Sequence, residues 1–187
     1  MYETSDIKKN LKVLIDGQPC AVVWHQFVKP GKGQAFTRTK LKNMITGNTM
    51  DRTFKSGEKL EPADLEERTM QYLYKDGNGR VFMDTGTYDQ ITLTDEQLGE
   101  TALFLLDGTE VSVLLFGGKP IGVTPPNFVV LLVTETEPGF KGDTSSNTTK
   151  PAICETGFTV NVPLFVEEGD KLKIDTRTGD YVERSKG

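Results

Sequence analysis

Short apolar runs alternate with polar, glycine-bearing turns along most of this 187-residue chain. Period-2 patterning and β-branched residues predict strands at 11–15, 20–28, 35–45, 50–54, 68–74, 80–84, 87–93, 110–116 and 120–123. Further strands are predicted at 128–135, 158–162, 164–166, 171–175 and 181–184. Asp16-Gly17, Thr46-Gly47, Asp76-Gly77-Asn78-Gly79, Glu168-Gly169 and Thr178-Gly179 supply the turns between them. Many short strands joined by such turns predict an all-β protein built from small twisted barrels.

One short helix interrupts the strands. Thr94 followed by Gln97 fits a capping box, and Asp95 and Glu96 suit the positive end of a helix. Leu98, Ala102 and Leu105 would share its buried face, while Gly99 and Thr101 keep it short. The charged stretch 57–64, containing Pro62, and the stiff run Thr124-Pro125-Pro126-Asn127 read as connectors. They divide the chain into 1–63, 64–126 and 127–187. Each piece is close to the lower size limit for an independent core, so at least two are expected to pack together. Residues 137–151, with Pro138, Gly139, Gly142 and a Ser/Thr/Asn run, read as a long exposed loop.

Composition narrows the class. Hydrophobic residues make up 36% and charged residues 26%, and no apolar run approaches the roughly 20 residues that cross a membrane. The first residues lack the basic-then-apolar pattern of a secretory signal. Cys20 and Cys154 share no metal-ligand spacing with each other or with His25, the only histidine, and read as isolated thiols of a reducing compartment. Net charge is −5, unevenly spread: residues 1–63 carry +5 and the remainder −10. Such a chain can touch a polyanion with one end and stay soluble with the rest.

The most informative segment is Phe27-Val28-Lys29-Pro30-Gly31-Lys32-Gly33-Gln34-Ala35-Phe36. Pro30 fixes one backbone angle, Gly31 suits the positive-φ position that follows proline in a type II turn, and Gly33 adds a second permissive position. A narrow projection with Lys32 near its end is expected. Arg38, Lys40 and Lys42 follow at spacing two, on one face of the return strand, with Thr37, Thr39 and Leu41 on the other. Lys29 adds charge beside the tip. Read without further context, the segment is a solvated lysine hairpin, a phosphate-binding hairpin or a peptide-binding loop. A lysine ammonium offers three donors and no acceptor, and so can anchor phosphate or carbonyl oxygens.

Enzymatic chemistry has little support. A lone His25, no GxSxG elbow and no P-loop leave no catalytic constellation. No metal set and no cofactor are expected. His25 reads as a strand or surface residue. Trp24 is expected to pack beside Phe27 or in the barrel wall, not to act as a stacking platform. At the C-terminal end, Thr178-Gly179 predicts a hairpin turn presenting Arg177, and Tyr181 and Arg184 could stack on and neutralise RNA. Taken by itself, that segment reads first as an ordinary closing hairpin in which Tyr181 packs.

The chain resembles bacterial elongation factor P over essentially its whole length. The resemblance rests on the 27–36 tip, Met70-Gln71-Tyr72-Leu73-Tyr74 with Phe82-Met83-Asp84, and Val123-Thr124-Pro125-Pro126. Pro138-Gly139-Phe140-Lys141-Gly142-Asp143, Val162-Pro163-Leu164-Phe165-Val166 and the terminal 175–184 segment also carry it. It implies an N-terminal SH3-like or KOW-like barrel and two OB-type barrels, L-shaped overall. It implies a cytoplasmic, monomeric, non-enzymatic translation factor that contacts both ribosomal subunits between the peptidyl and exit sites. There it helps peptide bonds form at consecutive prolines by positioning peptidyl-tRNA. The family's tip lysine falls on Lys32, which in relatives can carry a β-lysyl or other small group added by a dedicated enzyme. Contacts to tRNA or ribosome fall on Arg38, Tyr181 and Arg184, with Lys29, Lys40 and Lys42 as further basic candidates. The related hypusine-bearing factor has two domains, so the third segment favours the bacterial branch. The intact Pro-Gly-Lys-Gly tip separates the chain from a paralogous bacterial group. The alternative is a general OB-type RNA-binding protein with no effect on peptidyl transfer.

Overall fold

The computed structural model describes residues 1–139 and 148–185. The chain is all-β, as the alternation implies. Three sheets of six, five and five strands, curled into half-barrels, account for most of it. By backbone packing it divides into two units. One comprises Met1–Glu67 with Leu114–Gly122, and the other Arg68–Val113 with Val123–Gly187.

The first sheet takes β1 (Tyr2–Glu3), β2 (Lys12–Ile15), β3 (Gln18–Val28), β4 (Phe36–Asn43), β5 (Thr49–Lys55) and β6 (Lys59–Pro62), in the order β1-β6-β2-β3-β4-β5. Its core gathers Ile7, Leu11, Val13, Ile15, Cys20, Val22, Leu41, Phe54 and Leu60. β6 lies inside the stretch read as a connector. Its charged residues and Pro62 hide a strand that pairs with β1 at Tyr2↔Leu60 and with β2 at Leu14↔Glu61. Leu60 is its one buried side chain.

The middle sheet runs β11-β10-β7-β8-β9, from β7 (Leu65–Asp76), β8 (Gly79–Asp84), β9 (Gln90–Thr94), β10 (Glu110–Phe116) and β11 (Lys119–Thr124). Between β9 and β10 the capping box forms. Thr94 Oγ1 accepts from the Gln97 amide at 3.2 Å, and the Thr94 amide donates to Gln97 Oε1 at 2.9 Å. The helix it opens, α1 (Asp95–Leu98), lasts one turn. Gly99 takes φ +54° and ends the α-helix, short as expected, and a 3-10 segment, Gly99–Phe104, carries the chain on. Leu98, Ala102 and Leu105 are all buried as expected, the last two from the 3-10 segment and its end.

The third sheet, β14-β13-β12-β15-β16, uses β12 (Phe128–Thr136), β13 (Thr149–Cys154), β14 (Thr159–Pro163), β15 (Lys171–Asp175) and β16 (Asp180–Ser185). β13 overlaps the end of the expected loop. β13 accommodates Pro151 because pairing with β12 ends at Thr136↔Ala152, so the missing amide sits where that neighbour has stopped. Residues 140–147 of the loop, and with them part of the 138–143 run, lie outside the described residues. The strand expected at 164–166 is instead a turn, closed by the Val166 amide on the Pro163 carbonyl. Phe104, from the 3-10 segment, joins Leu131, Val133, Val162, Leu172 and Ile174 in this core. The second and third segments therefore share packing within one unit.

Both cysteines are free and buried. Burial pushes the Cys154 thiol up to about 11, with Glu155 adding to the effect, so it stays protonated and a poor nucleophile at neutral pH. No helix among the described residues is long and apolar enough to cross a membrane.

Asp84 pins the turn after β8. Its Oδ1 accepts from the amides of Gly86 (2.7 Å) and Thr87 (3.1 Å), and Arg68 lies 3.3 Å from Oδ2. The backbone donors hold its carboxyl below the ordinary aspartate range; burial opposes them, and Arg68 adds to the lowering. A carboxylate with a depressed folded-state pKa contributes stability above the unfolded value of about 3.9, lost as pH falls through the folded value. Asp84→Asn is expected to be less stable than wild type at neutral pH. Its stability should also fall less steeply on acidification below about pH 4. Denaturant melts across that range check both; parallel curves for the two proteins would refute the assignment.

Candidate functional site

The lysine hairpin grows out of the longest antiparallel pairing in the first unit. β3 and β4 run from Cys20↔Asn43 to Val28↔Phe36, and β5 flanks β4 as far as Phe36↔Lys55. Beyond the last pair the chain leaves the ladder through residues 29–35. Gln34 Nε2 donates to the Ser56 carbonyl (2.6 Å), and the Ser56 amide donates to the Ala35 carbonyl (3.0 Å). These bonds tie the root of the loop to the end of β5 and leave the tip clear. Lys29, Gly31, Lys32, Gly33 and Gln34 are exposed, and Pro30 is half-buried.

The glycines divide their roles differently from the type II expectation. Gly33 takes φ +102°, whereas Gly31 is not at positive φ. Gly33 thus makes the turn that returns the chain. Gly31 leaves open space beside Lys32: a Cβ there would meet nothing within 4 Å.

On β4 the alternation is as read. Arg38, Lys40 and Lys42 are exposed, while Thr37, Thr39, Leu41 and Asn43 are buried. Thr39 Oγ1 donates to the Arg52 carbonyl at 2.7 Å, which satisfies the buried hydroxyl. Arg38 lies over the Phe36 ring at 5.6 Å and Lys40 over Trp24 at 6.0 Å. None of Lys32, Arg38, Lys40 and Lys42 forms an ion pair with a carboxylate among the described residues. Arg52, on the opposite face of β5, is the exception nearby, 3.8 Å from Asp16.

Trp24 and Phe27 depart from expectation. Neither is packed: Trp24 is 44% and Phe27 61% exposed. For Trp24 the cause is a register shift between Val22 and Trp24, where Val23 is the extra residue; Phe27 shares the face of the buried Thr37 and is exposed near the hairpin's end, one pair before the ladder stops. Val22↔Leu41 points into the core, and simple alternation would send Trp24 there too. The bulge reverses the phase, and Trp24 comes out beside Lys40.

The second unit holds the other candidates. Tyr181 faces Ile174 across β15 and β16, and its half-buried ring packs on the core, as in the ordinary closing hairpin. Arg184 is exposed, lying over the exposed Phe165 ring at 5.0 Å and 3.6 Å from Asp170. Arg177 is held by Asp175 (2.9 and 3.1 Å) and lies over Phe128 at 5.3 Å. That contact holds the Asp175 carboxyl below its usual range. Sequence reasoning missed these three-residue stacks, because each brings together residues from separate strands and turns.

Comparison with known proteins decides the family. Three sequence profiles match in order: the elongation factor P KOW-like domain over residues 3–60, its OB domain over 65–123, and the elongation factor P C-terminal domain over 129–184. The chain belongs to the elongation factor P family.

Elongation factor P of Syntrophus aciditrophicus is 52% identical over 187 residues, covering all of both chains. Elongation factor P 2 of Geobacter sulfurreducens is 54% identical over the same span. Among solved structures, eukaryotic translation initiation factor 5A from Methanococcus jannaschii superposes with a TM-score of 0.57 at 26% identity. It covers 66% of this chain and 91% of that one. A translation initiation factor eif-5a family protein from Naegleria fowleri, at 18% identity and TM-score 0.53, shares the fold over 66% of this chain and 96% of its own. Elongation factor P is a family of translation factors, and these relatives place the chain in that class.

Proposed function

We propose that this chain docks on the ribosome between the peptidyl and exit sites and promotes peptide-bond formation at consecutive prolines by positioning peptidyl-tRNA. The observation that carries the reading is Lys32, exposed at the end of a projecting hairpin whose flank bears Arg38, Lys40 and Lys42 without carboxylate partners.

Proline is a constrained reactant, and a loosely held peptidyl-tRNA spends much of its time in unproductive arrangements. A protein that spends remote binding energy to order the reacting end lowers the barrier without contributing a bond-making group. Lys32 supplies reach, positive charge and hydrogen-bond donors beside the acceptor end of the tRNA, and the ribosome supplies the reaction centre. The flanking cations, with Lys29, hold phosphates, and Arg184 offers a further RNA contact from the second unit. The protein acts as a monomer in the cytoplasm, without catalysis or cofactor of its own. Lys32 is also the natural substrate for an enzyme that extends its amine.

The test is reconstituted translation of a reporter with a run of prolines and of a matched reporter without one. Added protein is expected to raise synthesis of the first by about tenfold or more and leave the second nearly unchanged. Equal yields from the proline reporter with and without protein would sink the reading. Binding to free single-stranded RNA as tight as to ribosomes would favour a general RNA-binding role.

A further inference from the structure

The bulge at Val23 places an exposed indole, the only tryptophan of the chain, among unpaired cations. On that face of the sheet stand Trp24, Gln26 and Val28 of β3, then Phe36, Arg38, Lys40 and Lys42 of β4, and Lys55 of β5. Asp51, opposite Lys40, is the one acid on these paired positions, and it makes no ion pair there.

An indole left 44% exposed forgoes part of the free energy of burying it, and Trp24 is not among the side chains of the first sheet's core. Unbulged pairing after Val22 would set Trp24 opposite Thr39; the bulge, a device that re-aims side chains, sets it opposite Lys40 on the outward face. Lys40 Nζ lies 6.0 Å from the ring centroid, and the rest of the exposed ring is open to a planar partner. Cations at a two-residue spacing beside an exposed aromatic ring match a nucleic-acid strand, whose phosphates recur alongside bases and riboses with flat faces.

We propose that Trp24 is a stacking contact for an RNA base or ribose, with Arg38, Lys40 and Lys42 taking the adjoining phosphates. The proposal rests on the ribosomal reading above and adds an element to it. RNA binding by the hairpin flank has a part that salt does not screen, carried by one ring outside the 27–36 segment. Phosphate neutralisation weakens steeply with salt; stacking does not.

The test uses the full chain and ribosomes stalled at proline codons with peptidyl-tRNA in place. Affinity is measured against KCl concentration for wild type, Trp24→Ala, Trp24→Phe and Lys40→Gln. Trp24→Ala is expected to bind about tenfold more weakly at every salt concentration, with the wild-type slope of log affinity against log salt. Trp24→Phe should recover most of the loss. Lys40→Gln should make the slope shallower by close to one phosphate contact, about 0.7–0.9. Emission of the single tryptophan, excited at its red edge, should be quenched on binding. Zero-length photocrosslinking should give a nucleotide adduct at Trp24.

Wild-type affinity in Trp24→Ala, or unquenched emission from bound wild type, overturns the proposal. A crosslink to a ribosomal protein peptide overturns it in favour of a protein contact. A general fold defect is separated by melting: loss of affinity with an unchanged melting temperature supports stacking, and loss that Trp24→Phe fails to recover while melting falls overturns it. If wild type itself neither binds nor rescues proline synthesis, the ribosomal reading fails. If wild type binds and Trp24→Ala matches it, only the stacking contact fails.

Discussion

Lys32→Ala is expected to leave the fold unchanged and to reduce rescue of polyproline synthesis by about tenfold to a hundredfold. The structural half follows from exposure. Lys32 makes no hydrogen bond or ion pair with the described residues, so its truncation should alter stability by no more than about 0.5 kcal/mol. The functional half follows from geometry. The other ammonium of the 29–35 loop, Lys29, sits at its root, next to the last paired residue Val28; nearer the tip Pro30, Gly31 and Gly33 have no polar side chain, and Gln34 is tied to Ser56. Lys32→Arg is the informative companion. It keeps the charge but replaces the compact ammonium with a rigid planar fork and removes the amine that an enzyme could extend. Activity restored by arginine assigns the role to charge; activity lost in both assigns it to the amine. Rates of proline–proline bond formation at saturating protein separate the effect from occupancy. Equal rates for Lys32→Ala and wild type would end the assignment.

Some of this was legible in the sequence and some was not, for physical reasons that differ by element. The outward set on β4 could be read because a two-residue period survives in an unbroken strand, and Arg38, Lys40 and Lys42 follow it without interruption. The capping box at Thr94 was legible because both partners lie within one turn. Trp24 was misread because one extra residue in β3 reverses the phase, and nothing local in Val22-Val23-Trp24 announces a bulge. β6 and β13 were hidden for other reasons. β6 finds its partner far off in sequence, Tyr2 for Leu60, while Pro62 argues locally for a break; β13 follows a polar Ser/Thr/Asn run that reads as a continuing loop. Gly31 and Gly33 show the same limit at the site itself: both permit positive φ, and only the closed loop selects Gly33.

Phe104→Ala is expected to produce a large loss of stability in the second unit. The residue belongs to the 3-10 segment that follows α1, yet its ring lies in the core of the third sheet, 4.8 Å from Phe158 at an interplanar angle of 57°. Thr156 Oγ1 donates to the neighbouring Leu103 carbonyl, which fixes the same junction with a polar contact. Truncation removes a buried aromatic ring and leaves a cavity that Leu131, Val162 and Ile174 cannot fill without leaving their strands. Phenylalanine-to-alanine changes at such sites cost about 3–5 kcal/mol. For a chain of this size each kcal/mol lowers the melting temperature by about 2–4 °C, so a fall of about 6–20 °C is expected by calorimetry. The junction also makes a statement about cooperativity. Short segments near the lower limit for a core gain stability by sharing one, and Phe104 is a side chain through which the second segment enters the core of the third. Phe104→Leu, which keeps most of the apolar volume, should retain a single transition for this unit at a modestly lower temperature. Phe104→Ala should broaden it or split it in two. A sharp, single transition within a degree or two of wild type in Phe104→Ala would show that the two sheets hold together without the ring.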